Sequence, residues 1–377
     1  MKFIHVSDLH LGKRLHETSL IEDQQAILDQ ILNIVDNEKP DGILIAGDVY
    51  DKSMPSAEAV SLFDYFISEL AKRCLHVFVI SGNHDSAERI AFGSKVMDSV
   101  GIHFSPVYDG KILSTTLLDE HGEVNVYLLP FIKPSHVRRF YEDEEINSYT
   151  DAISVVIDKM NLDSTKRNLL LAHQFVTGST RSDSEESVGG LDNVDKEVFE
   201  CFDYVALGHL HKMQDCGSNK IRYSGTPLKY SFSEAEDIKS VTVLNLGKKG
   251  EELDIKTIIL TPIRDMRKIR GKFDDLISVV DRTDDYVQIT LTDEEDIPNA
   301  MSRLQTIYKN ALDLRYDNTR TRANSNDFNL EDVENKSTFQ LFSEFFYERN
   351  KSEMSQKQIE YMQSLIAQIE EEDVWDL

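Results

Sequence analysis

The chain has 377 residues, 40% of them hydrophobic, 3 cysteines and a formal net charge of −26. That length exceeds the usual single domain, and the apolar share supports a sizeable core. Unpaired cysteine spacing excludes a disulfide framework, and no apolar run is long enough to span a bilayer. Met1-Lys2-Phe3 enters a strand-like run with no signal-peptide stretch, so a reducing, cytoplasmic compartment is expected, with Cys74 and Cys201 as inert core thiols. The charge is −16 over residues 1–261, −1 over 262–324 and −9 over 325–377. An acidic body of that kind repels phosphate, so a nucleic-acid substrate would need local basic patches, metal ions or a partner.

In chain order, Lys2–Val6 reads as a buried strand that ends at Asp8-Leu9-His10. An apolar stripe at Ile27, Leu28, Ile31, Leu32 and Val35 then marks a helix. Gly42–Ala46 is a second strand, ending at Gly47-Asp48, and Val60, Phe63, Ile67 and Leu70 mark the next helix. His76–Ile80 runs into Gly82-Asn83-His84-Asp85, Asn168–Ala172 into His173, and Tyr204–Leu207 into Gly208-His209-Leu210-His211. Alternating strands and helices predict an α/β fold of packed layers. In such folds ligands gather beyond the carboxyl ends of the strands, where every one of these polar clusters sits.

Residues two apart in an extended segment share a side, so Asp8 with His10, and His209 with His211, can each serve one site. Carboxylate, imidazole and neutral amide together suit manganese, iron or zinc rather than an all-oxygen or thiolate site. With Asp8 and Asp48 as the carboxylate ligands of two divalent ions, the centre keeps about two positive charges, which suits an anionic substrate and phosphoester hydrolysis.

These residues resemble the calcineurin-like metallophosphoesterases, whose pattern runs Asp-x-His, Gly-Asp, Gly-Asn-His-Asp or Glu, His, Gly-His-x-His. Ser7–Gly12, Ala46–Asp51 and Tyr223–Glu234 narrow the resemblance to the double-strand-break repair nuclease branch, which includes the SbcD subunits of bacterial SbcCD complexes. The resemblance implies two central sheets flanked by helices, a small capping domain and a C-terminal helical pair. It implies that Asp8, His10, Asp48 and His211 hold one metal and Asp48, Asn83, His173 and His209 the other, with manganese as the ion. His84 would then face the scissile phosphate, with Asp85 orienting and charging its ring. Archaeal and eukaryotic members carry a second histidine near the position of Asp51; this chain, like bacterial members, has an acid there, and its role stays open.

The runner-up is a phosphatase or small-molecule phosphodiesterase of the same superfamily. Protein phosphatases follow Gly-Asp with an arginine that grips the phosphate; here Lys52 and Ser53 offer no such fork. A non-catalytic scaffold acting through its carboxyl tail is the other alternative, against which all the ligand types are present. The chain has no Gly-x-x-x-x-Gly-Lys-Ser/Thr loop, so any dependence on ATP is borrowed from a partner.

Lys13, Arg14 and His16 follow the first metal motif and Arg89 the third, and they are the candidate DNA contacts, with Arg264, Arg267, Lys268, Arg270 and Lys272 as a further basic run. A Gly- and Ser-rich loop over 177–190 could border a DNA groove. Expected domains are a nuclease body at 1–261, a capping unit at 262–324 with a strand at 287–291 and a helix at 300–312, a linker at 325–336 and a helical segment at 337–377. Ser337 with Gln340, and Ser355 with Gln358, form capping-box patterns. Phe339, Phe342, Phe345 and Phe346 line one helix face, and Ile359, Met362, Leu365, Ile366 and Ile369 the next. So much apolar surface either folds back or grips a partner. The resemblance makes that partner the ATPase subunit SbcC, in a heterotetramer built on a homodimer.

Overall fold

The computed structural model describes residues 1–180, 193–278, 283–319, 321, 338–350, 353–359, 361–362 and 365–366. The chain opens with β1 (Lys2–Val6), α1 (Ile21–Glu38), β2 (Gly42–Ala46), α2 (Ala57–Lys72), β3 (His76–Ile80) and β4 (Ile102–Phe104). It continues with β5 (Leu113–Asp119), β6 (Gly122–Leu128), α3 (Tyr149–Lys159), β7 (Arg167–His173), β8 (Tyr204–Gly208), β9 (Gln214–Cys216) and β10 (Ser218–Tyr223). β11 (Ser240–Asn245) and β12 (Asp254–Ile259) return to the first half. Then come β13 (Met266–Gly271), α4 (Phe273–Ile277), β14 (Tyr286–Leu291), α5 (Ala300–Leu304), β15 (Ala311–Tyr316) and α6 (Thr338–Asn350).

The first sheet has the order β12-β11-β1-β2-β3-β4, with β1 to β4 parallel and the other two antiparallel at one edge. The second is β9-β10-β8-β7-β6-β5, parallel in the middle and antiparallel at both edges. Their inner faces meet in a core that includes Phe3, Leu44, Phe78, Leu169, Leu171 and Ala206. The outer face of the first sheet packs on the apolar stripes of α1 and α2, and that of the second on α3. This four-layer order explains the runs without alternation: β2 and β7 are covered on both sides. Ser56 starts α2 by accepting the amide of Ala59, and Ser148 with Asp151 closes a capping box on α3.

Charge is buried between the layers at the end remote from the motifs. Arg167, 1% exposed, pairs with Asp119, which also holds the N-terminal amine at 2.9 Å and sits well below the usual carboxylate range because of the arginine.

The third sheet, β13-β14-β15, is parallel and has its own apolar cluster under α4 and α5. Here one expectation fails: the helix stops at Leu304, and Ala311–Tyr316 is a strand beside β14. Ala311-Leu-Asp-Leu-Arg-Tyr alternates with the period of a strand, while Tyr308, in the intervening turn, donates its amide to Leu304 O at 2.8 Å and its hydroxyl to Leu276 O of α4. Arg264 fastens this unit to α1 through Glu22 and Asp23. No helix among the described residues is long and apolar enough to cross a membrane.

Candidate metal centre

The carboxyl ends of β1, β2, β3, β7 and β8 come together where the two sheets face each other. Two of the loops are laced by main-chain bonds: Asp8 donates to Gly47 O at 3.0 Å and His10 to Asp48 O at 2.9 Å. Asp8, His10, Asp48 and His209 all have positive φ, at 53°, 43°, 47° and 102°. Non-glycine residues hold such backbone only where the surroundings over-determine it, and strain of this sort gathers at functional sites. Close approach dictates the glycines. A Cβ on Gly82 would lie 2.1 Å from Asp48 Oδ1, and one on Gly208 would lie 1.9 Å from Ala46 O.

Single donor atoms of Asp8, His10 and Asp48 lie within 4.8 Å of one another, all buried. The His10 ring packs edge-on to His211 at 5.1 Å. Although only 1% exposed, His10 has neither ring nitrogen hydrogen-bonded; the nearest carboxylate oxygens, on Asp48 and Asp51, stand 3.7 and 3.9 Å away. A buried imidazole so placed fits a divalent cation, which would satisfy a nitrogen that protein leaves bare. On the other side, Asn83 Oδ1 stands 3.0 Å from both His173 Nε2 and His209 Nδ1, and His173 Nε2 is 3.4 Å from Asp48 Oδ2. His173 Nδ1 donates to Ala46 O at 2.8 Å, which turns Nε2 toward the site. Asp48 therefore stands between the two groups of donors.

The electrostatics are those of crowded, desolvated charge. Burial, reinforced by Asp48, pushes Asp8 up to about 7. Asp48 goes the other way: burial opposes its ionisation, yet the charge and hydrogen bond of His173 hold it well below the usual carboxylate range. Asp48 in turn lifts His173 to about 9 against its own burial, while burial pushes His10 well below its ordinary value.

His84 is exposed at the rim, its ring 5.0 Å from that of His10 and at right angles to it. Its amide donates to Asp48 Oδ1 at 2.9 Å, and Nδ1 stands 3.1 Å from Asp51 O. Asp85 does not orient this ring, contrary to expectation. Its carboxylate points the other way and accepts the amides of Val49, Tyr50 and Gly82 at 2.9 to 3.0 Å. It thus braces the Gly47–Tyr50 loop against the Gly82 turn, and the Asp51 carbonyl takes the place expected for it.

Against known proteins, the model described as calcineurin-like phosphoesterase matches residues 1–213, more than half the chain. A second model, described as Type 5 capsule protein repressor C-terminal domain, matches 262–350. Curated relatives named as the SbcD component of the SbcCD nuclease, from Staphylococcus epidermidis and Staphylococcus saprophyticus, are 35% and 34% identical to it. Each match covers 83% of this chain and 85% or 84% of the relative. The chain belongs to the SbcD family of calcineurin-like phosphoesterases. Among solved structures, a dimetal phosphatase from Danio rerio aligns over 68% of this chain and 95% of its own at 12% identity and a TM-score of 0.43, a likeness too distant to bear on function.

Within this SbcD-family chain the candidate DNA contacts divide. Lys13 reaches into the site, its Nζ 2.7 Å from Asp51 Oδ1, while Arg14 and His16 are exposed on the following hairpin. Arg89 is exposed and donates to Ser53 O beside the same loop. In the basic run at 264–272, Arg267 pairs with Asp285 and Arg270 with Asp317 at the surface, and Lys268 and Lys272 are exposed. Cys74 and Cys201, expected in the core, are exposed, while Cys216 is buried. Part of the Gly- and Ser-rich loop, the linker, Ser337 and Ile369 lie outside the described residues.

In the tail, Phe339, Phe342, Phe345 and Phe346 fall on α6, with Phe345 54% exposed and the others half-buried. Phe342 and Phe346 line a groove of about 350 Å³ with Met354, Tyr361 and Met362, and Ile359, Leu365 and Ile366 are half-buried on the second helical segment. Ser355 donates its amide to Gln358 Oε1 at 2.8 Å, which is one half of the expected capping box; the Ser355 hydroxyl also donates to Gln358 Oε1, and the Gln358 amide goes to Ser355 O instead of that hydroxyl.

Sequence reasoning missed three supports of the site. Glu234, wholly buried, accepts from His211 Nδ1 at 3.1 Å. Tyr230 puts its ring 5.6 Å from that of His10 and its hydroxyl on Leu9 O. Gln24 donates to His10 O at 2.7 Å. Tyr230 and Glu234 lie in the segment that carried the family resemblance, and buried polar residues in such a segment were the available signal.

Proposed function

We propose that this chain is a metal-dependent DNA nuclease, the catalytic subunit of an ATP-gated complex, acting as an exonuclease on double-stranded ends and an endonuclease on single strands and hairpins. The buried, unpartnered His10 ring among Asp8, Asp48 and His211 is the observation that carries the reading. Asp8, His10, Asp48 and His211 would hold one divalent cation, and Asp48, Asn83, His173 and His209 a second, with manganese as the working ion. When bound, such a pair supplies positive charge to the attacking and leaving oxygens of an in-line displacement at phosphorus. The protein's own work is to fix the donors on strained, laced loops, to keep the inner donors dry, and to present His84 to the phosphate. With Nδ1–H directed at Asp51 O, His84 leaves Nε2 for the phosphate, where the ring in its imidazolium form would stabilise the transition state or give its Nε2 proton to the leaving oxygen, ending as the neutral Nδ1–H imidazole. Lys13 and Arg89 flank that position for the DNA backbone, and the net acidity of the chain leaves the rest of the affinity to partner and cations.

We assign SbcC docking to the tail, because none of the four apolar core clusters includes a described residue beyond Tyr316. Phe92, Val96 and Val100 are 87%, 74% and 58% exposed on the segment after the Asn83–Asp85 turn, and this apolar stretch is the surface proposed for the homodimer. The test is a substrate panel with manganese: linear duplex, single-stranded circle, a phosphoprotein and a small phosphodiester, each with and without SbcC. Cleavage of both DNA forms, the duplex dependent on SbcC and ATP, is expected; hydrolysis of the phosphoprotein alone would overturn the nuclease reading.

A further inference from the structure

The strongest unassigned feature lies behind His211, on the side away from the other donors. Glu234 sits in the tight turn Phe232–Glu234 with no solvent exposure. One carboxylate oxygen accepts from His211 Nδ1 at 3.1 Å; the other takes the Lys239 ammonium at 2.6 Å. Lys239, 6% exposed, also donates to the main-chain oxygen of His211 at 2.9 Å. The histidine is therefore gripped at its ring and at its backbone by one buried ion pair. Removing either partner alone would leave a buried charge uncompensated, so the pair is kept together or lost together.

This grip is wired to the third-sheet unit. Lys229 Nζ donates to Ala235 O at 2.5 Å, at the end of the same turn, and pairs with Asp265 at 2.8 Å, at the entry to β13. A cavity of about 310 Å³ at this junction has Lys229, Ala235 and Lys239 on one wall and Asp265, Met266 and Tyr286 on the other. The turn that carries Glu234 is thus tied to the capping unit through Lys229.

We infer that Glu234 is a positioning residue: it fixes His211 in the Nδ1–H tautomer, so that Nε2 is offered to the cation, and Lys229 makes that setting depend on the seat of the capping unit. A carboxylate behind a ligand imidazole orients the ring and raises its basicity, and losing such a partner costs about 10- to 100-fold in metal affinity. The inference rests on the reading of His211 as a metal ligand.

The experiment uses the full chain and manganese alone. Calorimetry on Glu234→Gln, Glu234→Ala and the charge-balanced double change Glu234→Gln with Lys239→Met should show the tightest manganese site weakened by about 10- to 100-fold. In the metal-free protein, ¹⁵N imidazole shifts of His211 should leave the Nδ1–H pattern in Glu234→Ala, which removes the acceptor, while the two glutamine-containing variants, whose amide oxygen can still accept, are read by their manganese affinity. Lys229→Met should weaken manganese by a smaller factor while the far-ultraviolet spectrum stays native. His211→Ala separates the two levels of argument. If His211→Ala loses metal but the folded Glu234 variants bind it as wild type with unchanged imidazole shifts, the positioning role is overturned; if His211→Ala itself binds as wild type, the ligand reading fails. Should single variants unfold, the charge-balanced double change decides alone.

Discussion

The strand-end centre and the carboxyl tail are both built from residues that stand out in the sequence, yet they are held in opposite ways. At the centre every candidate donor hangs on a buried strand end, four of them on left-handed backbone, and the loops are tied by amide bonds to one another. In the tail Phe342, Phe346 and Met362 are half-buried around a groove, Phe345 is exposed, and none of them joins a core cluster. Rigid placement suits a centre that must aim several donors within fractions of an ångström, whereas a surface that awaits a partner needs only an apolar face of the right spacing. Chemistry and assembly should therefore be separable by substitution.

The largest effect should come from Asp48→Asn, which removes the charge standing between the two donor groups. Nuclease activity is expected to fall to background with both manganese sites weakened by calorimetry, while circular dichroism shows a native fold. Wild-type rates in the folded variant would break the rigid-centre side of the comparison. Next, His84→Ala is expected to keep manganese and DNA binding but to lose about 10²- to 10⁴-fold in turnover, the usual range for a proton-transfer group. A loss of manganese instead would make His84 a ligand. Deleting residues 335–377 should then leave cleavage of a simple phosphodiester close to wild type and abolish SbcC association in a pull-down. Val96→Glu is expected to act on neither: it should shift sedimentation of the free protein from dimer to monomer at unchanged phosphodiesterase rate, and an unaltered sedimentation profile would remove the homodimer surface.

The same contrast explains what the sequence disclosed. Strand ends were legible because β1, β2 and β3 are short apolar runs broken by Gly or Asp, and their polar clusters carry residue types with one obvious joint use. Asp85 was misread because adjacency in sequence is not adjacency in space. The turn at Gly82–Asn83 rolls its carboxylate under the neighbouring loop, where three amides outbid the ring next door. Glu234 was missed for the converse reason, since 23 residues separate it from His211 and only the fold closes the gap. Cys74 escaped because its left-handed position, φ 55°, turns the chain outward just before β3, which apolar neighbours do not reveal. In the capping unit, helix pattern and strand pattern overlap at Leu312, and pairing with β14 decided between them.

The finest test lies within the tail itself. Phe342→Glu with Phe346→Glu places two charges in the groove shared with Met354 and Tyr361, at a cost of several kcal/mol if a partner desolvates that face. Because these rings touch no core cluster, the free protein should lose little: a melting shift of about 2 °C or less follows if the change acts like an ordinary surface substitution. Capture of SbcC should nevertheless disappear, and manganese-dependent cleavage of a small phosphodiester should stay at the wild-type rate. Melting and capture together discriminate. Lost capture with a large melting drop would mean that the aromatic face stabilises its own chain, while undiminished capture would move the docking surface elsewhere.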